Sequence, residues 1–228
     1  MSEAQKRFAG GVLAVTGGGS GVGEGLARHA ASLGMAVAIA DIDLDAATTV
    51  ADELVRAGGK ALARKMDVRD LGAMEAFADE VYAELGPVTL AINNAGIEQF
   101  GYVWDVPEDN WHRLMNINVT GVFNGVKAFV PRMQRAGVPA RIWNLSSMGG
   151  VSVGPRQAPY IVSQGSVHVG SRGGRGRLRP GRGRGLLSAD APGDGRRRHG
   201  DARRAAPYAQ CAAAHDRRLR RERLIVHA

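Results

Sequence analysis

The sequence predicts an α/β domain built on a doubly wound parallel sheet, single and of ordinary size, and three observations predict it. Short apolar runs of the kind buried on both faces of a sheet recur along residues 12–145. Between them lie stretches with apolar residues at helical spacing, long enough to return the chain parallel to itself. Asp41, Asp67, Asn94, Ser147 and the glycine cluster after Thr16 all fall at the ends of these runs. Right-handed crossovers then place helices on both faces, and a ligand is expected at the carboxyl ends of the strands.

The first strand is read at Val12, Leu13, Ala14 and Val15, and it stops at Thr16 before the cluster Gly17-Gly18-Gly19-Ser20-Gly21-Val22-Gly23. Glycines at 17, 21 and 23 allow a tight turn, close approach of backbone N–H groups to an anion, and close packing of the next helix. The spacing Gly-x-x-x-Gly-x-Gly is neither the commonest dinucleotide fingerprint nor a P-loop, so alone it leaves a nucleotide site and an ordinary strand-to-helix turn both open. Helical spacing runs from Val22 to Leu33 and stops at Gly34; Met35 to Ala40 reads as a strand ending in Asp41. Leu44 to Ala57 is a predicted helix, Ala61 to Met66 a weaker strand ending in Asp67, and Leu71 to Leu85 a helix closed by Gly86 and Pro87. Val88 to Ile92 leads into Asn93-Asn94-Ala95-Gly96, and Arg141 to Leu145 leads into Ser146-Ser147. Pro107 to Arg135 reads as two helices, the second a long one through Asn118, Val122, Val126 and Met133.

Length and composition exclude several classes. The 228 residues suffice for a core without staples, and Cys211, the only cysteine, permits no disulfide framework. No apolar run approaches the ~20 residues of a membrane span, and the start Met-Ser-Glu-Ala-Gln-Lys-Arg is not a signal peptide, so a cytoplasmic protein is expected. The net charge of +8 is uneven: residues 1–164 hold 14 Lys and Arg against 17 Asp and Glu, residues 165–228 hold 16 against 5. All 16 are Arg, and Gly and Arg largely alternate over 171–185. The organisation expected is a domain over 1–164 and a basic, low-complexity tail over 165–228 that does not order itself.

Asp41 lies 24 residues beyond Gly17, at the end of the second strand. There an acidic side chain accepts hydrogen bonds from an adenosine ribose and repels a 2′-phosphate. With no Arg or Lys in the glycine loop or just after Asp41, NAD is favoured over NADP. Asp43 suits the N-cap of the helix from Leu44. No metal-ligand cluster is visible in the sequence.

Six motifs in order, Thr16-Gly17-x-x-x-Gly21-x-Gly23, Asp67-Val68, Asn93-Asn94-Ala95-Gly96, Asn118 in Asn-Val-Thr-Gly, Ser147, and Tyr160, resemble those of the classical short-chain dehydrogenases/reductases. The resemblance covers about residues 8–163. It implies a Rossmann-like fold and hydride transfer between a nicotinamide and a secondary alcohol or ketone. It also implies that Gly17, Ser20, Gly21 and Val22 line the pyrophosphate, that Asp67 and Val68 hold the adenine, and that Asn94, Ala95 and Gly96 lie along the ribose and nicotinamide. Asn118, Ser147 and Tyr160 would be three of the four catalytic residues, Tyr160 as the base for the hydroxyl proton and Ser147 holding the substrate oxygen. The loops at 97–105 and 148–159 would shape a mainly apolar pocket for a small alcohol or ketone.

The chain departs from the family at position 164. A tyrosine with a pKa of ~10 is about 0.1% ionised at pH 7 and needs a nearby cation to act as a base. The family has a lysine four residues after the tyrosine; here that residue is Gln164, an uncharged amide. Past Ser163 the resemblance ends, so the domain is expected to stop after its fifth strand, with impaired activity and an open sheet edge. An out-of-frame reading of a GC-rich gene accounts for the change: TCC AAG GCA GCG encodes Ser-Lys-Ala-Ala, and one added C gives the Ser-Gln-Gly-Ser found at 163–166. The alternatives are a non-catalytic nucleotide-binding protein and nucleic-acid binding through the Arg/Gly tail. The latter is disfavoured because Tyr208 is the tail's only aromatic residue. The family commonly forms dimers or tetramers through the helices around Asn118 and Tyr160, and the loss of sequence pattern past 163 puts such a homo-oligomer in doubt for this chain.

Overall fold

The computed structural model describes residues 3–152 and 154–173. Five parallel strands, β1 (Val12–Thr16), β2 (Ala36–Asp41), β3 (Ala61–Lys65), β4 (Leu90–Asn93) and β5 (Arg141–Asn144), form one sheet in the order β3-β2-β1-β4-β5. In register, Val12 to Thr16 of β1 lie beside Ala36 to Ala40 of β2, and Leu13 to Val15 lie beside Leu90 to Ile92 of β4. This is the predicted doubly wound sheet. Among the described residues β5 pairs only on its β4 side.

Alternation along the strands sorts the core onto two faces. Val12 and Ala14 of β1, with Ala38 and Ala40 of β2, pack with Met74, Phe77 and Val81 of α4 (Leu71–Glu84) and Phe129 and Met133 of α6 (Gly121–Ala136). Leu13, Val15, Val37 and Ile39 point the other way. They pack on Ala27 and Ala30 of α2 (Gly21–Ser32) and on Ala47, Val50 and Leu54 of α3 (Leu44–Arg56). Strands covered on both faces read as unbroken apolar runs because neither side needs a polar residue. Asp43 caps α3 by accepting the Ala46 N–H at 3.1 Å, as the sequence suggested.

Three features differ from expectation. A short helix α1 (Glu3–Phe8) precedes β1 with no periodic signal of its own, and Phe8 packs at the edge of the second core cluster. The predicted pair of helices in Pro107 to Arg135 is α5 (Glu108–Met115) and α6, but no loop separates them: a π-helical turn, Asn116–Thr120, joins them with Asn118 buried at its centre. The last helix among the described residues, α7 (Ala158–Gly173), runs past position 164, where the sequence pattern stops. Ser163 and Val167, one turn apart, are both buried, and the Ser166 hydroxyl donates back to the Val162 carbonyl at 2.9 Å. Residues 174–228, on which the reading of a basic Arg/Gly tail and its nucleic-acid alternative falls, lie outside the described residues.

Candidate functional site

The strand order reverses between β1 and β4, whose chains leave the sheet toward opposite faces and open a crevice at their carboxyl ends. Thr16 closes its floor. Its hydroxyl oxygen accepts the N–H groups of Asn94 and Ala95, each at 3.1 Å, and the Asn94 amide donates to the carbonyls of Thr16 and Gly17, each at 2.9 Å. The side chains of Thr16 and Asn94 are thus spent on joining the two strands at the switch point.

The glycine loop is built by close approach. Gly17 has a left-handed backbone (φ 63°) and donates its N–H to Ala40 at 2.7 Å. A Cβ on Gly17 would lie 2.9 Å from the Ala95 Cα, and one on Gly23 only 2.0 Å from the Gly17 carbonyl oxygen. The N–H groups of Gly21, Val22 and Gly23 stand in the first turn of α2, where no helical carbonyl can reach them. Ser20 is the N-cap with a side chain that makes no capping bond, and Val22 is 65% exposed beside it. Unpaired N–H groups, a free hydroxyl and the positive end of the helix dipole form a cradle that fits a phosphate or pyrophosphate.

Asp41, buried at the end of β2, faces this loop: Oδ2 accepts the Gly19 N–H at 2.8 Å and Oδ1 the Asp43 N–H at 3.0 Å. Each carboxylate oxygen keeps a second lone pair for another donor. Asp67, after β3, accepts the Arg69 N–H at 2.9 Å and pairs with its guanidinium at 2.5 Å. The side-chain bonds from Arg69 hold its carboxyl below the usual aspartate range, against the opposing effect of partial burial. Val68 is buried against Gly121, where a Cβ would come within 2.7 Å of it, and the Asn124 amide holds its carbonyl at 2.9 Å.

A cavity of about 240 Å³ opens at the ends of β4 and β5. Val22, Asn94, Ala95, Gly96, Asn118 and Tyr160, all singled out in the sequence, share its lining, together with Glu98, Ser146 and Gln164. Asn118 is fixed on both sides of its amide. Its Oδ1 accepts the Ile97 N–H at 2.8 Å, and its Nδ2 donates to the Ile97 carbonyl at 2.9 Å and to the Ser163 hydroxyl at 3.0 Å. Ser163 in turn donates to the Tyr160 carbonyl at 2.8 Å. The loop after β4, the π-helical turn and the Tyr160 helix are thereby held in one hydrogen-bonded chain.

Ser147 follows the lining residue Ser146 beyond the end of β5. Its hydroxyl accepts the Gly149 N–H at 3.1 Å, and a Cβ on Gly149 would lie 3.4 Å from the Tyr160 ring and 3.7 Å from the Ser147 oxygen. Ser146 is the serine in the lining, and it donates to the Gln164 carbonyl at 3.0 Å. Among the described residues, no group of three His, Cys, Asp or Glu could hold a metal ion, and no helix is long and apolar enough to cross a membrane.

The sequence reading assigned no positioning role to the residues that hold the site in shape, although it quoted Asn93 within a motif. Ser163 sits at i+3 from Tyr160, a spacing from which a hydroxyl bonds back to the preceding turn. Asn93 donates to the Asn144 side chain at 2.7 Å, and a Cβ on Gly125 would lie 1.9 Å from its Oδ1. A glycine inside the long α6 pattern was the available signal, because it costs helix stability and marks close approach.

A family model described as short chain dehydrogenase matches residues 11–179. The chain is 36% identical over 158 residues to the probable oxidoreductase EphD of Mycobacterium tuberculosis, covering 69% of this chain and 27% of that one. It is 36% identical over 159 residues to a cyclohexanol dehydrogenase of Acinetobacter sp., covering 68% of this chain and 62% of the other. Among solved structures, it matches a short chain dehydrogenase/reductase from Burkholderia phymatum in complex with NAD, with a TM-score of 0.72 and 34% identity. That match covers 73% of this chain and 59% of the other, so the chain spans less than two thirds of the length of each of these relatives.

Proposed function

Because the chain belongs to the short-chain dehydrogenase family, we propose that it binds NAD across the carboxyl ends of β1, β2 and β4, in a site shaped for hydride exchange with a secondary alcohol or ketone. The observation that carries this reading is the shared cavity. Val22 from the phosphate-binding turn, Asn94 to Gly96 from the end of β4, and Tyr160 from α7 come from three distant parts of the chain and line one space. The similarity to an NAD complex and to a dehydrogenase of a cyclic alcohol supports the same reading.

The N–H groups of Gly21, Val22 and Gly23 and the Ser20 hydroxyl would hold the pyrophosphate; Asp41 would accept the adenosine ribose hydroxyls and repel a 2′-phosphate. Asp67 and Val68 would border the adenine. The coenzyme, when bound, supplies the acceptor or donor of hydride. Tyr160 would take the hydroxyl proton at its phenol oxygen, Ser147 would orient the substrate oxygen, and Asn118 would keep Ile97 and the Tyr160 helix in register.

Gln164 limits this chemistry. It is buried against the cavity and brings no charge to favour the phenolate of Tyr160. That observation favours a second reading, a chain that binds the dinucleotide with little or no turnover.

Calorimetric titration of the full chain with NAD+ and NADP+, alongside an alcohol-oxidation assay, tests both. The expected result is heat with NAD+, weaker uptake of NADP+, and turnover at least a hundredfold below that of ordinary family members. No heat with either coenzyme refutes the site; normal turnover refutes the impairment.

A further inference from the structure

We infer that this cavity selects the oxidised nicotinamide ring over the reduced one, an inference that rests on the dinucleotide reading above. Glu98 is the only charged side chain among the described residues that line it. Among the described residues no Lys or Arg forms an ion pair with Glu98. The cation of the neighbouring loop, Arg156, lies outside the lining, with its guanidinium 5.8 Å from the centre of the Tyr102 ring.

The other side chains of the lining carry no charge. Gln164, 7% exposed and part of the lining, is uncharged where a residue of similar length could bring a full positive charge. The Asn118 amide cannot turn to offset Glu98, because both of its ends are already bonded to Ile97 and Ser163.

The two redox forms of the coenzyme share every group except the ring, which carries one positive charge when oxidised and none when reduced. Interactions with the phosphates, riboses and adenine therefore cancel in the ratio of the two affinities. What remains is the field of the cavity on one unit charge. A carboxylate with no opposing cation makes that field favourable to the oxidised ring. Because Glu98 is exposed, solvent and salt weaken its share, whereas a charge placed at 164 would act from a nearly buried position.

The test is calorimetry on the full chain with NAD+, NADH and ADP-ribose, the last lacking the nicotinamide ring. Glu98→Gln should move the NAD+ to NADH affinity ratio toward NADH by about threefold, and Gln164→Lys by about tenfold in the same direction. ADP-ribose affinity should stay constant in Glu98→Gln, and in Gln164→Lys it measures the part of the change that the phosphates and riboses carry. Glu98 is on the surface, so that variant carries the test if Gln164→Lys fails to fold. Ratios unchanged in Glu98→Gln, with all three nucleotides still bound, would overturn the inference and leave the dinucleotide reading standing. Failure of the unaltered chain to bind ADP-ribose as well as both coenzymes would overturn that reading and the inference with it.

Discussion

The Asp41 carboxylate accepts the main-chain N–H of Gly19 at 2.8 Å, tying the end of β2 to the glycine turn that follows β1. The same side chain expected to read the ribose therefore also sets the shape of the phosphate loop, since its second oxygen takes the Asp43 N–H. Asn at this position has one acceptor oxygen for two N–H donors, and leaving one buried donor unmet costs about 1–3 kcal/mol. Asp41→Asn should lower the melting temperature by about 2–8 °C and cut the preference for NAD+ over NADP+ about tenfold, because a 2′-phosphate would no longer meet a negative charge. Thermal denaturation and paired titrations check it; an unchanged coenzyme preference would assign Asp41 to the loop alone.

Two glycines of α2, two residues apart, should respond in opposite directions. A methyl on Gly23 would fall 2.0 Å from the Gly17 carbonyl, a backbone atom that cannot yield without moving the turn. Gly25 has nothing within 4 Å of the corresponding position. Gly23→Ala should reduce dinucleotide affinity more than about tenfold, whereas Gly25→Ala should leave binding intact and stabilise the chain by up to about 1 kcal/mol through helix propensity. Equal affinities for the two variants would show that the close approach does not shape the ligand site.

Stability should carry an acid-dependent contribution from Asp67. Hydrogen bonds from the Arg69 side chain, aided by its main-chain N–H and opposed by partial burial, lower the carboxyl's pKa in the folded chain. A carboxyl that titrates lower when folded stabilises the fold above its unfolded pKa of about 3.9 and loses that contribution as pH falls through the folded value. Arg69→Gln should therefore flatten the decline of melting temperature between about pH 5 and pH 2, while near neutrality the change should be small for so exposed a pair. Parallel acid limbs in the two proteins would count against the pairing.

The elements that position the site were legible where burial dictates residue type. β1, β2 and β4 are covered on both faces and read as apolar runs, and the Asp43 cap announces α3 by chemistry that acts within four residues. The π-helical turn was not legible, because an extra residue in a helix leaves the apolar spacing on either side nearly intact. The bonds of Ser163 and Thr16 escaped for a different reason, although Thr16 itself stands in the first motif: their partners lie 45 and 78 residues away in the chain, and no local spacing encodes such bonds. The adjacent serines show the limit most plainly. The motif points to Ser147, and Ser146 beside it also reaches the cavity lining, because two consecutive residues at a strand end can both border the space beyond it.

Among the described residues no strand pairs with the outer side of β5, which makes this edge a candidate for unwanted association. Its residues alternate between exposed and partly buried, unlike the fully buried β1, and Trp143 on this strand is 44% exposed. A strand edge without a neighbouring strand is a template for pairing with another chain, and a large apolar side chain beside it adds attraction. Trp143→Lys places a charge at the edge, which natural sheets use to prevent strand addition. The variant should lower light scattering of the purified chain at a fixed concentration several-fold and leave its melting temperature within about 2 °C, since little buried area is lost. Unchanged scattering would mean that association runs through another surface, and a large drop in melting temperature would mean that Trp143 is covered in solution.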